Sequence, residues 1–220
     1  MYSTGGIQQP MLGDEEMPNE PTTTFAKIKA ADPDQDLYAL PIKSARRLRK
    51  YGKNTPITVR QIVEEVGIHD ALWCLRTMPE HDARWRLLAL RYARRVQHLM
   101  ANPRSLAALD VAERYAHGFA TDEEMEAAHD EAHEAAAVAQ WDINSACSND
   151  AAAALSVCAI ADATSPSNAG LNAYWAAINA TCAVLKAADV ADDDAADSDA
   201  YLAECRWQAD ELIRICEEEI

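Results

Sequence analysis

Phenylalanine is nearly missing from this sequence, which has two in 220 residues, and glycine is sparse at seven. No apolar run is long enough to span a bilayer, and residues 1–20 lack the basic start and apolar stretch of a secretory signal. The expectation is therefore a cytoplasmic protein with no membrane partner. No two cysteines stand in a CxxC pair, which excludes a zinc ribbon or a thioredoxin-like motif. There is no Gly-rich phosphate loop, no GxSxG elbow and no Cys/His pairing that the sequence justifies. Catalysis has no motif to stand on, and no cofactor is implied. No alternating strand pattern or hairpin signal appears either.

What the chain has in quantity is alanine and, in its second half, acid. Ala-rich segments with few β-branched runs favour helix, and small side chains let helices approach closely. Residues 1–110 carry 16 Lys and Arg against 13 Asp and Glu, whereas residues 111–220 carry 4 against 23. So acidic a half argues against direct nucleic-acid binding, because phosphate contacts need Lys and Arg. The six cysteines (Cys74, Cys147, Cys158, Cys182, Cys205 and Cys216) mostly occupy apolar helix positions, where a free thiol packs as a small hydrophobe.

Residues 1–36, rich in Gly, Pro, Thr, Asp and Glu without an apolar period, read as a flexible arm. Residues 37–220 read as a single helical domain, basic-leaning over 43–104 and acidic over 111–220. Residues 43–52 form a basic helix closed by Gly52, and Thr58 caps a second helix ending near Gly67. Ile68 to Met78 is a third, stopped by Pro79. Trp85, Leu88, Ala89, Tyr92, Ala93, Val96, Leu99 and Met100 share one helix face, which Asn102-Pro103 interrupts. A helix over 104–117 ends at Gly118, and Thr121 with Glu124 is a capping box for the next. Further helices are expected over 149–163, after Ser165-Pro166, and beyond an acidic loop over 192–199. The last of these would bury Leu202, Cys205, Ala209, Leu212 and Cys216 at near-heptad spacing. Short connections imply antiparallel neighbours: an all-α protein, either an antiparallel bundle or a curved stack of helical hairpins.

The stretch DARWRLLALRYARRVQHLM (residues 82–100) resembles a family of uncharacterised, Ala-rich helical phage proteins. So do Asn102-Pro-Arg-Ser105, residues 108–114, Gly118, residues 121–124 and the closing CRWQADELIR of residues 205–214. That family is similar in turn to candidate immunity proteins of bacterial polymorphic toxin systems. The resemblance covers roughly residues 60–219, and it implies toxin neutralisation without supplying catalytic residues. It also places the protein in the cytoplasm of a bacterial host.

Three groups of residues are candidates for function. Arg84, Arg91, Arg94, Arg95 and His98 form a stripe on helix 81–100, suited to phosphate or an acidic partner. Pairing with the chain's own acidic half is the alternative, and with 23 acidic residues at hand it is the favoured one. Clustered carboxylates (Glu123, Glu124, Glu126, Asp130 and Glu134, and separately Asp189, Asp192, Asp193, Asp194, Asp197 and Asp199) are suited to a basic, nucleic-acid-binding surface on another protein. His129 and His133, one turn apart, have a metal-compatible spacing but form no zincin motif. The reading is a non-catalytic inhibitor of a host, toxin or defence protein, acting by acidic nucleic-acid mimicry. The alternatives are a virion assembly protein, which would allow a homo-oligomer, and a metal-dependent enzyme built on the two histidines.

Overall fold

The computed structural model describes residues 20–31, 46–141, 169–188 and 198–218. The expected helix over 149–163 and the carboxylates of Asp189, Asp192, Asp193, Asp194 and Asp197 lie outside the described residues. Within them the protein is all-α, with one two-stranded ladder of two residues per strand.

That ladder corrects the reading of the N-terminal arm. Strand β1 (Thr22–Thr23) pairs antiparallel with β2 (Ile57–Thr58), and helix α1 (Phe25–Ala30) follows at once, capped by the Thr24 hydroxyl. Ile28 is inserted into the core, and the Thr23 hydroxyl meets that of Thr77 at 2.7 Å. Residues 20–31 are thus folded onto the domain. Six residues are too few for a helix to persist alone; the neighbouring strand and the burial of Ile28 hold this one.

Residues Arg46–Tyr51 make a 3₁₀ helix rather than the expected α-helix, with Leu48 buried and Gly52 ending it at φ +94°. Helix α2 (Val59–Val66) opens with a complete capping box between Thr58 and Gln61, and Gly67 at φ +87° turns the chain directly into α3 (Ile68–Cys74). Two 3₁₀ turns, Leu75–Thr77 and Pro79–His81, lead to α4 (Asp82–Val96).

Helix α4 is the centre of the bundle. Trp85, Leu88, Ala89, Tyr92, Ala93 and Val96 are fully buried, as their shared face requires, and the indole of Trp85 donates to the Met78 carbonyl at 3.0 Å. Against α4 lies α7 (Ala169–Ala187), which buries Ala173, Ala176, Ala177, Ala180 and Ala183. So small a face lets backbones approach closely. The limit is reached at Gly170, where a Cβ would stand 2.6 Å from the Arg76 nitrogen and the Leu75 carbonyl carbon.

Helix α5 (Pro103–Ala116), capped by Asn102, and α6 (Asp122–Trp141), opened by the Thr121–Glu124 capping box, form a hairpin. The hairpin joins the bundle where α5 packs on α4. Helix α8 (Asp199–Glu217), capped by Ser198, packs on α4 and α7. Asp199, read from the sequence as part of an acidic loop, is its first residue, where a carboxylate complements the helix dipole. Leu212 and Cys216 are buried as expected and Cys205 and Ala209 pack partly buried against the core, but Leu202 is 47% exposed, and Glu204, Gln208, Glu211 and Ile215 complete the buried face of α8.

Candidate functional site

The arginine stripe is resolved residue by residue. Arg84 is 8% exposed, and its guanidinium donates to the carbonyls of Ile215 and Glu218, 2.6 Å each. Those carbonyls sit at the end of α8, where the last turn has no intrahelical donors left, so Arg84 closes the helix from outside. Two turns along α4, Arg91 reaches Glu211 at 2.8 Å and holds Glu218 with both Nη atoms, at 3.0 and 2.5 Å. The fork-to-fork pairing draws the Glu218 carboxyl below its usual range and raises Arg91 above its own. One turn further, Arg95 places its Nε 3.5 Å from Glu204 and its guanidinium 4.9 Å from the centre of the Trp207 ring.

Arg84, Arg91 and Arg95, spaced i, i+7 and i+11, therefore face α8. Arg94 lies to the other side, joined to Asp110 at 2.8 Å and to Glu113 on α5. His98 is exposed in the 3₁₀ turn that ends α4. The stripe meets the chain's own acidic half, the alternative the sequence favoured. It is a clamp, and most of its charge is met by carboxylates of residues 110–218.

Beneath the clamp runs a polar strip that sequence reasoning missed. Glu204, Gln208 and Glu211, four and three residues apart on α8, are all buried. The Gln208 amide donates to the Ala177 carbonyl, the Thr181 hydroxyl and Glu204, at 3.0 to 3.1 Å. Tyr92 donates to the Gln208 carbonyl at 2.9 Å, and burial pushes its own hydroxyl well above the ordinary tyrosine range. The available signal was the matching period: arginines at 91 and 95 on one helix, carboxylates at 204 and 211 on another. Between α4, α5 and α8 an open groove of about 660 Å³ runs over Leu87, Leu90 and Trp207. Its arginines already carry carboxylate partners.

The acidic candidates on α6 divide in two. Glu124 completes the capping box, accepting from the Thr121 N–H at 2.9 Å, and lies 3.4 Å from Arg114. Glu134 accepts from Arg104 at 2.7 Å, tying α6 to α5. Both are structural as well as acidic. Glu123, Glu126 and Asp130 are exposed on the outer face, opposite the buried Met125, Ala128 and Ala132. At i, i+3 and i+7 they share one stripe, which Glu134 continues; the rise of the helix makes it roughly 16 Å long. Backbone and Thr121 hydrogen bonds at the helix start lower the Glu123 carboxyl.

The histidine pair stands with ring centres 6.0 Å apart, and His129 Nδ1 lies 3.3 Å from Asp130. Among the described residues no three His, Cys, Asp or Glu side chains come together as a metal would require. One further convergence was not foreseen. His69, Tyr201 and Cys205 line a shallow groove, with the Tyr201 hydroxyl 3.4 Å from His69 Nδ1 and His69 Nε2 buried without a hydrogen-bond partner. Burial lowers His69 and raises Cys205, and Tyr201 is pushed up to about 12. All three are thus held neutral, and the thiol is not activated as a nucleophile at neutral pH. Among the described residues Cys74 and Cys216 are buried in the core.

Among the described residues no helix is long and apolar enough to cross a membrane. No protein-family model, curated protein or solved structure matches this chain.

Proposed function

We propose that this protein works by binding another protein, without catalysis, through the acidic outer face of α6. Glu123, Glu126 and Asp130, with Glu134 extending the row, occupy a basic surface that would otherwise hold a nucleic-acid backbone. The observation that supports this is the way the charge is used. Arg84, Arg91, Arg94 and Arg95 of α4 are engaged within the fold, whereas three carboxylates of α6 point outward in a row. Like charges held at helical spacing repel one another by a few tenths of a kcal/mol per pair. A row of charge that faces outward and forms no part of the core is accounted for by a cationic partner.

The likeness of residues 82–124 and 205–214 to phage and immunity-type proteins gives the direction: an inhibitor of a toxin or host defence protein, acting in a bacterial cytoplasm. The test is capture from a bacterial host extract on the immobilised protein, at low and at moderate salt. The expected result is one basic nucleic-acid-binding protein, retained at low salt and released as salt screens the contact. Capture of a neutral or acidic protein, or capture indifferent to salt, overturns the reading.

A further inference from the structure

The chain carries a second charged feature, and it complements the first. Helix α1 and the 3₁₀ helix over 46–51 border an open groove of about 640 Å³, lined by Phe25, Ala26 and Ala30 and by Lys29, Arg49 and Lys53. Its apolar lining is thus ringed by three cations. The neighbouring Lys27 and Lys50 pair with Glu80 and Glu65, but no ion pair among the described residues involves Lys29, Arg49 or Lys53. In a protein of net charge −16 such a site is conspicuous to any acidic surface.

The reverse of that groove stands at the tip of the α5–α6 hairpin. Phe119 is 75% exposed, well beyond Leu202 at 47% and Leu106 at 37%. Its backbone is nonetheless pinned. The Phe119 N–H bonds to the Arg114 carbonyl at 2.7 Å and the Gly118 N–H to the Tyr115 carbonyl at 3.0 Å, with Gly118 at φ +75°. This is a Schellman closure, which commonly packs the residue in the position of Phe119 against the one in the position of Arg114. Here the ring stays in water instead, and the exposed carboxylates Glu123 and Glu126 follow within two turns of chain on α6. A rigidly held, exposed aromatic has the character of an interface anchor.

We infer that the protein self-associates head to tail, with Phe119 of one copy entering the Phe25–Ala30 groove of the next and the carboxylates of α6 meeting Lys29, Arg49 and Lys53. An apolar knob leading into an acidic helix is matched by an apolar groove lined with cations, and both belong to one sequence. The two patches are different surfaces, so the contact is heterologous and propagates into rings or chains rather than closing a two-fold dimer. This inference rests on reading the α6 face as a binding face. It adds that assembly and partner capture compete for that face.

Sedimentation velocity of the full chain over a concentration series at low salt tests it. The expected result is a sedimentation coefficient that rises with concentration and falls back when salt is added. Phe119→Ala weakens association by more than about tenfold, and so does the pair Lys29→Glu with Arg49→Glu. All three positions are exposed, so thermal unfolding of each variant should match that of the parent. The decisive sample is an equimolar mixture of the two variants. Each retains one intact patch, so the mixture forms a single 1:1 contact and stops at the dimer. A parent that stays monomeric throughout, variants that assemble as the parent does, or a mixture that stays monomeric would each overturn the proposal. The variant with Lys29→Glu and Arg49→Glu keeps the acidic face intact. Its capture of a basic protein from extract therefore reports on the proposed function separately from assembly.

Discussion

Gly170→Ala should destabilise this protein, although the same change in an exposed helix stabilises. Alanine is favoured over glycine within a helix by roughly 1 kcal/mol. At Gly170 the new methyl would lie 2.6 Å from two backbone atoms of Leu75 and Arg76 and 2.9 Å from the Leu75 Cβ. Ordinary contact needs about 3.4 Å or more, so α7 or the turn over 75–77 has to move by somewhat under 1 Å. Neither neighbour is the end of a flexible side chain. The fully buried alanines of α7 extend from Ala173 to Ala183, so a shift at one end disturbs the whole interface with α4. Overpacking of this kind costs about 1–3 kcal/mol, and subtracting the propensity gain leaves a net loss of about 0–2 kcal/mol, toward the upper end because the methyl meets backbone on both sides of the 75–76 peptide. Urea unfolding followed by circular dichroism measures it, with an unchanged slope showing that only stability has moved. A variant more stable than the parent would refute the close approach of α7 to the turn.

Other perturbations probe the clamp and the caps. Arg95→Ala leaves Glu204 buried without its cation and should cost about 1–3 kcal/mol, the lower end reflecting the half-exposed arginine. Adding Glu204→Gln should return part of that loss, a coupling that a double-mutant cycle reads directly. Thr121→Ala removes the acceptor that starts α6 and should cost about 1 kcal/mol, seen as faster hydrogen exchange at the start of that helix. His69 is held neutral by burial, below the ordinary value of 6.5. The unfolded chain therefore takes up the proton first, and stability should decline as pH falls below about 6.5. His69→Leu should flatten that part of the profile, and an unchanged slope would show that another group is responsible.

The helices were legible because their signals are local. Thr58 and Thr121 cap where their side chains predict, Asn102-Pro103 interrupts the chain where expected, and Gly52, Gly67 and Gly118 take positive φ at the turns they mark. Two features were not legible. The folding of residues 20–31 depends on a strand more than thirty residues away and on the core space that Ile28 fills. The orientation of α8 depends on arginines of α4 more than a hundred residues upstream. The apolar spacing finds Leu212 and Cys216, and only tertiary pairing with Arg91, Arg95 and Thr181 brings Glu204, Gln208 and Glu211 into the buried face beside them. The alternative that the arginines meet the chain's own acid was readable in the sequence, from the abundance of carboxylates downstream. Which carboxylates are spoken for, and which are left on the surface of α6, was not.

The most direct measurement compares two sets of substitutions by thermal unfolding and by capture of the basic partner. One set reverses the outer face of α6 beyond its first turn (Glu126→Lys and Asp130→Lys); the other removes the clamp (Arg84→Ala and Arg91→Ala). Carboxylates that face outward and arginines that face inward predict a reversed-face variant that melts like the parent and captures nothing. They also predict a clamp variant that melts several degrees lower. A reversed-face variant that unfolds or still captures the partner, or a clamp variant that keeps the parent's melting temperature, would contradict the account.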